Sequence, residues 1–114
     1  MKRLWNATLY SIYGIQAAWK DEPAFRQEIF LLIILGPLGW WLGESALERA
    51  ILIAPLFLVL AVELINSAIE ACIDRIGEDI HPLSKKAKDT GSAAVLVTLV
   101  MTAVLWAGFL VDKY

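Results

Sequence analysis

The sequence predicts an all-α membrane protein: an N-terminal amphipathic surface helix followed by three transmembrane helices. Three observations carry that expectation. Hydrophobic residues make up 59% of the 114 residues and mean hydropathy is +0.63, too apolar for a soluble chain of this size. Uncharged runs of membrane length recur, and the clearest, Gly91 to Val111, has no charged residue at all. Lys and Arg also divide unevenly around these runs: Lys2, Arg3, Lys20, Arg26, Arg75, Lys85, Lys86 and Lys88 fall on one side, Arg49 and Lys113 on the other. The length allows one domain at most, residues 1–114.

Residues 1–20 read as the surface helix. Trp5, Leu9, Ile12, Ile15 and Trp19 share one face, with Lys2, Arg3, Asn6, Tyr10 and Tyr13 on the other. That pattern suits a helix lying in the membrane interface and is too polar to span. Asn6, Tyr10 and Gln16 interrupt any apolar core, so no cleavable signal peptide is read here. On the polar side Arg3 and Tyr10 suit headgroup anchoring and ligand contact equally.

Lys20, Asp21 and Glu22 mark a turn, and Pro23 suits the first position of a new helix, where its missing N–H costs nothing. The first span is expected over about 24–43, which leaves Arg26 and Glu28 at or just under the interface. Gly36-Pro37 predicts a kink or a local break in it, and Trp40 and Trp41 an aromatic belt at its far side. The second span, about 50–70, has Pro55 one turn in, a point of bending. Residues 75–90 form the longest polar segment and read as a loop. The third span, 91–111, opens with Gly91, Ser92, Ala93 and Ala94 and continues with Thr98 and Thr102, small residues that let membrane helices approach closely. By the positive-inside rule the N-terminus and the 75–90 loop are cytoplasmic and the C-terminus lies outside.

Several function classes drop out. A net charge of −2 offers no basic footprint for nucleic acid. The single Cys72 excludes an internal disulfide and suits a reduced, cytoplasmic-side setting. There is no GxxxxGK[ST] loop, no GxGxxG turn and no catalytic loop of the soluble protein-kinase type.

The informative stretch is Glu63 to Ser92, ELINSAIEACIDRIGEDIHPLSKKAKDTGS. At about 100° per residue, Glu63, Asn66, Ser67, Glu70, Asp74 and Gly77 share one helix face. Glu63 and Glu70 lie two turns apart, roughly 10 Å at ~1.5 Å per residue. No charge precedes Glu63 back to Arg49. The stripe therefore carries an acid and an amide into hydrocarbon, where an ionisable residue marks function by default. A plain helix-holding pair would not need four polar groups on one stripe. At that depth Glu63 suits a general base. Glu70, with Glu22 at matching depth, suits Mg²⁺, which prefers one or two carboxylates plus phosphate oxygens and water; such acids also occur as simple solvated charges. Lys88 and Asp89, followed by Gly91-Ser92 at an expected helix start, place a cation and backbone donors where phosphate could sit.

ELINSAIEACIDRIG followed by HPLSKKAKDTGSAAV, with DEPAFRQE at residues 21–28, resembles the signature of the small prokaryotic lipid kinases, diacylglycerol kinase and undecaprenol kinase. The resemblance covers nearly the whole chain. It implies an ATP- and Mg²⁺-dependent kinase that phosphorylates the primary hydroxyl of diacylglycerol, with undecaprenol as the alternative substrate. Glu63 matches the catalytic base, and Glu22 and Glu70 the acids that hold the metal accompanying ATP. Lys88 and Asp89 match a nucleotide-linked pair, Asp79, Ile80 and His81 a segment over the nucleotide, and Arg3 and Tyr10 positions on the surface helix that approach it. Ala24, Phe25, Arg26, Gln27, Glu28 and Ser92 match lipid-side positions, and Asn66 and Asp74 supporting polar groups. The resemblance also implies a homotrimer with sites shared between subunits, in the bacterial inner membrane with a periplasmic C-terminus. Pro23 stands where the diacylglycerol-kinase motif carries alanine. HPLSKKAKD looks more like the undecaprenol-kinase loop, whereas FRQE and DRIG look like the diacylglycerol type. A reading of another class, a proton-conducting or structural membrane subunit using Glu63 as a relay, has no need of the Lys85–Asp89 segment.

Overall fold

A computed structural model describes residues 1–77 and 80–114. Among the described residues four helices follow in order: α1 (Lys2–Asp21), α2 (Pro23–Leu42), α3 (Ala46–Ile76) and α4 (Pro82–Lys113). Among the described residues there is no strand. The last three helices are long and apolar enough to cross a membrane. Large apolar side chains along them, such as Phe30, Ile34, Phe57, Val97 and Val104, face outward. Spanning-length helices with an apolar exterior identify a membrane protein.

Local chemistry sets each junction. Glu22 alone separates α1 from α2, and its backbone is extended (φ −117°, ψ 102°), the conformation Pro23 imposes on the residue before it. Arg26 Nη1 donates to the carbonyls of Trp19 at 2.6 Å and Lys20 at 3.1 Å, satisfying oxygens that the end of α1 leaves open. At the next turn Ser45 Oγ accepts from the Glu48 N–H at 3.1 Å, and Glu48 Oε1 accepts from the Glu44 N–H at 2.9 Å, close to a reciprocal capping box. Arg49 Nε donates to the carbonyls of Trp40 at 3.0 Å and Gly43 at 3.2 Å. Lys113 pairs with Glu44 at 3.2 Å and Glu48 at 3.0 Å, which ties the end of α4 to this turn.

α3 packs against each of the other helices. One of its faces is buried along most of the helix: Leu52, Pro55, Leu56 and Val59, then Glu63 and Asn66. The same stripe thus changes from apolar to polar without leaving the interior. α4 buries Gly91, Val95, Thr98 and Thr102. The Thr98 and Thr102 hydroxyls turn back to the carbonyls of Val95 at 2.7 Å and Thr98 at 2.8 Å, so these residues pack as small, satisfied side chains.

Two expectations change. Of the kink or local break expected at Gly36-Pro37, the break does not occur, since α2 continues through Pro37 to Leu42; Pro55 lies inside α3, as the second span requires. Proline removes one i→i−4 bond, leaving the Ile51 carbonyl without its helical donor. Beside it, Trp106 Nε1 donates to the Leu52 carbonyl at 3.0 Å from across the α3–α4 contact.

The second change concerns the segment read as a loop. α4 begins at Pro82, and His81 caps it, its Nδ1 accepting the Leu83 N–H at 3.1 Å. Residues 82–90 are therefore helical, and Gly91-Ser92 lie inside a helix instead of offering free backbone donors to phosphate. The end of the charged run marks where the helix becomes apolar, not where it starts. Lys, Ala and Ser are compatible with helix in water, so polarity alone could not locate the first turn.

Candidate active site

The polar half of the α3 stripe forms a buried cluster with α2. Glu63 is 4% exposed and Asn66 6%. Glu28, one and a half turns into α2, lies close enough for the Glu63 charge to act on it. Glu22, at the α1–α2 joint, bears in the same way on both Glu63 and Glu70. The extended backbone before Pro23 is thus what brings a carboxylate from the joint to the α3 stripe. Glu28 Oε2, Asn66 Oδ1 and Ser67 Oγ are buried without a hydrogen-bond partner. Buried polar atoms are nearly always paired, so the orphaned Glu28 Oε2 and Ser67 Oγ indicate groups poised for something that binds there, while Asn66 Oδ1 lies against α4 at Gly91.

On the α4 side, Lys88 Nζ holds Asp74 at 2.8 Å, and Lys85 Nζ holds Asp89 at 2.6 Å. The Lys88 charge also reaches Glu70. A cavity of about 300 Å³ opens here, lined by Asp74, Gly77, Ile80, His81, Lys88 and Asp89 among others. A larger one, about 460 Å³, lies between α1 and α3. Small and apolar residues of both helices line it, including Gly14, Ala18, Leu64 and Ala68, with Glu22 and Ser67 at its polar edge.

The residues singled out in the sequence therefore fall into groups. Glu63 lies within electrostatic range of Glu22, Glu28 and Glu70, with Asn66 between Glu63 and Glu70 on α3, and Asp74, Ile80, His81, Lys88 and Asp89 gather around the second cavity. Phe25, 2% exposed, is a core side chain, and Arg26 is engaged in capping α1. Arg3, Tyr10, Ala24, Gln27 and Ser92 are exposed on a single chain. Asp79 lies outside the described residues. Ser67 and Gly91 gain importance that no motif assigned them. Ser67 stood on the predicted stripe, and its place was legible by spacing. Its orphaned hydroxyl was not.

Metal chemistry fits this donor set in one respect. Among the described residues no three His, Cys, Asp or Glu side chains form a cage. Glu22 and Glu70 are carboxylates of the kind that Mg²⁺ takes, one or two at a time, when phosphate oxygens complete its shell.

Comparison with known proteins agrees with the geometry. The family model described as prokaryotic diacylglycerol kinase matches residues 9–110. A diacylglycerol kinase of Pseudomonas aeruginosa is 51% identical over 110 residues, covering 96% of this chain and 89% of that protein. One from Haemophilus influenzae is 46% identical over 110 residues, covering 96% and 93% respectively. One from Helicobacter pylori is 44% identical over 113 residues, covering 99% and 88%. With a match along nearly its full length and a buried acidic stripe in the matched region, the chain belongs to the prokaryotic diacylglycerol kinase family.

Proposed function

We propose that this protein transfers the γ-phosphoryl group of ATP to the primary hydroxyl of diacylglycerol, giving phosphatidic acid and ADP. The observation that carries the reading is a buried Glu63 among unpartnered polar atoms, in a chain whose relatives are named diacylglycerol kinase. Those names favour diacylglycerol over undecaprenol. Glu63 takes the proton of the lipid hydroxyl as that oxygen bonds to the γ-phosphorus, and the bond to the ADP oxygen breaks. Glu22 and Glu70 would hold Mg²⁺, which when bound neutralises charge on the transferring phosphoryl. Glu28, beside Glu63, is placed to orient the hydroxyl. Ile80, His81, Lys88 and Asp89 face the nucleotide. α1 lies in the interface, with Arg3 and Tyr10 toward the nucleotide.

In this reading the chain is a single catalytic domain in the bacterial inner membrane. The N-terminus and the 75–90 segment are cytoplasmic, and the C-terminus is periplasmic. It works as a homotrimer, and the exposure of Ala24, Gln27 and Ser92 on one chain suits positions completed by neighbouring subunits. Purified protein in detergent micelles should consume ATP when diacylglycerol is added and form phosphatidic acid. ATP use that responds to a polyprenol alone would reassign the substrate. No lipid-dependent ATP use would favour the proton-relay reading.

Lys88→Ala should lower efficiency toward ATP by about tenfold or more, the weight of a charged contact to phosphate, with efficiency toward lipid nearly unchanged. Lys88 is half-exposed and partnered by Asp74, so its ammonium can meet phosphate without being buried. Replacing Lys85 and Lys86 together should be mild. Their surroundings are open, and the exposed Lys85–Asp89 pair is of a kind that contributes little. Kinetics at varied ATP and fixed lipid decide this. Equal, small effects from both variants would reduce the segment to a topology signal.

A further inference from the structure

α4 meets α3 at Gly91 across the Asn66 side chain. A Cβ built on Gly91 would collide with Asn66 Oδ1 and crowd its Cγ at 3.2 Å. Since a Cβ replaces one glycine hydrogen, the collision means that a Gly91 Cα–H points at Oδ1. This is the weak Cα–H···O contact found where membrane helices approach closely. The backbone does not require glycine here, because Gly91 lies in the interior of α4 and alanine is the better helix former. Space requires it. Asn66 is buried and its Oδ1 has no hydrogen-bond partner, and Glu70 follows it by one turn on the same face of α3. With Oδ1 turned to Gly91, the NH₂ end is the part of the amide left to donate toward Glu70, whose carboxylate accepts.

We propose that Gly91 is a positioning residue for phosphoryl transfer: the absent side chain lets Asn66 lie against α4 and turn its N–H toward Glu70, keeping that carboxylate aimed at the metal–nucleotide. This inference rests on the reading of Glu70 as a metal carboxylate. Gly91 touches no substrate itself and acts through Asn66.

The test uses the purified full-length protein in micelles, with Mn²⁺ as the paramagnetic probe in the presence of a non-hydrolysable ATP analogue. Gly91→Ala should weaken Mn²⁺ binding by about tenfold, the scale of a lost hydrogen bond to a charged group. Asn66→Ala should cost a similar factor. Adding Gly91→Ala to Asn66→Ala should change affinity by less than about twofold, because residues acting as a unit are not additive. Gly108→Ala, in the same helix where a Cβ would meet nothing within 4 Å, should match the parent. Parental affinity in Gly91→Ala, or an equal loss whichever residue occupies position 66, overturns the proposal and leaves the Glu70 reading standing. Parental affinity in Glu70→Ala overturns that reading and the proposal with it. If Gly91→Ala alone folds poorly, the paired Gly91→Ala/Asn66→Ala variant should recover helicity, since the collision is gone. A pair no better folded than the single variant also counts against the proposal.

Discussion

Glu63→Gln is expected to abolish phosphoryl transfer, lowering the rate by ~10²–10⁴-fold, the usual contribution of a positioned general base. The amide keeps the shape of the side chain, so helicity and nucleotide binding should stay near parental. Burial makes the substitution clean. Glu63 is 4% exposed, its surroundings are set by α2 and α3, and the glutamine fits the same space. Removing a negative charge from a cluster that already contains Glu22, Glu28 and Glu70 does not strand an opposite charge, the usual cause of unfolding when a buried ion is lost. Phosphatidic acid formation by the purified variant, measured alongside binding of an ATP analogue, checks both halves. Near-parental turnover would remove Glu63 as the base and direct attention to Glu28 beside it.

Glu22→Ala and Glu70→Ala should each raise the Mg²⁺ concentration needed for half-maximal rate or abolish activity. A metal on the transferring phosphoryl contributes several kcal/mol of charge stabilisation, so the loss at ordinary Mg²⁺ should be about a hundredfold or more. The two variants differ in what else they disturb. Glu70 lies on a helix that continues past it to Ile76, so its truncation leaves the backbone in place. Glu22 is the joint between α1 and α2, but Pro23 holds its extended conformation whichever residue stands there. Rate against Mg²⁺ concentration decides the matter, and unchanged dependence in both variants would sink the metal assignment.

The four-helix order was legible because its signals are local or additive along the chain. Pro23 after an acidic turn starts α2 by removing an N–H that has no use there. The uncharged run from Gly91 to Val111 has one physical solution in hydrocarbon. Where the expectation failed, hydropathy was asked about a backbone property it does not report. The chain does not break at Gly36-Pro37, because neighbouring elements can support a ladder with one bond missing. α4 begins at Pro82 because a helix does not stop where the bilayer does.

The candidate site divides in the same way. Spacing alone placed Glu63, Asn66, Ser67 and Glu70 on one face, since a helix converts sequence separation into angle. It could not say that this face continues the buried stripe of Leu52, Leu56 and Val59, or that Glu22 at the α1–α2 joint and Glu28 of α2 would bring their charges to bear on it. Nor could it show that Arg26 is occupied at the end of α1, that Lys88 is held by Asp74, or that Gly91 meets Asn66. Those relations join residues far apart in sequence. They depend on how the helices lean on one another, and helix faces meet by the shape of side chains that no single segment contains. The sequence by itself determined the helices, the face that carries the acids and the chemistry they could perform. Only the tertiary structure decided which acids meet, which polar atoms remain without partners and where a glycine is required, because burial and contact are properties of pairs of helices.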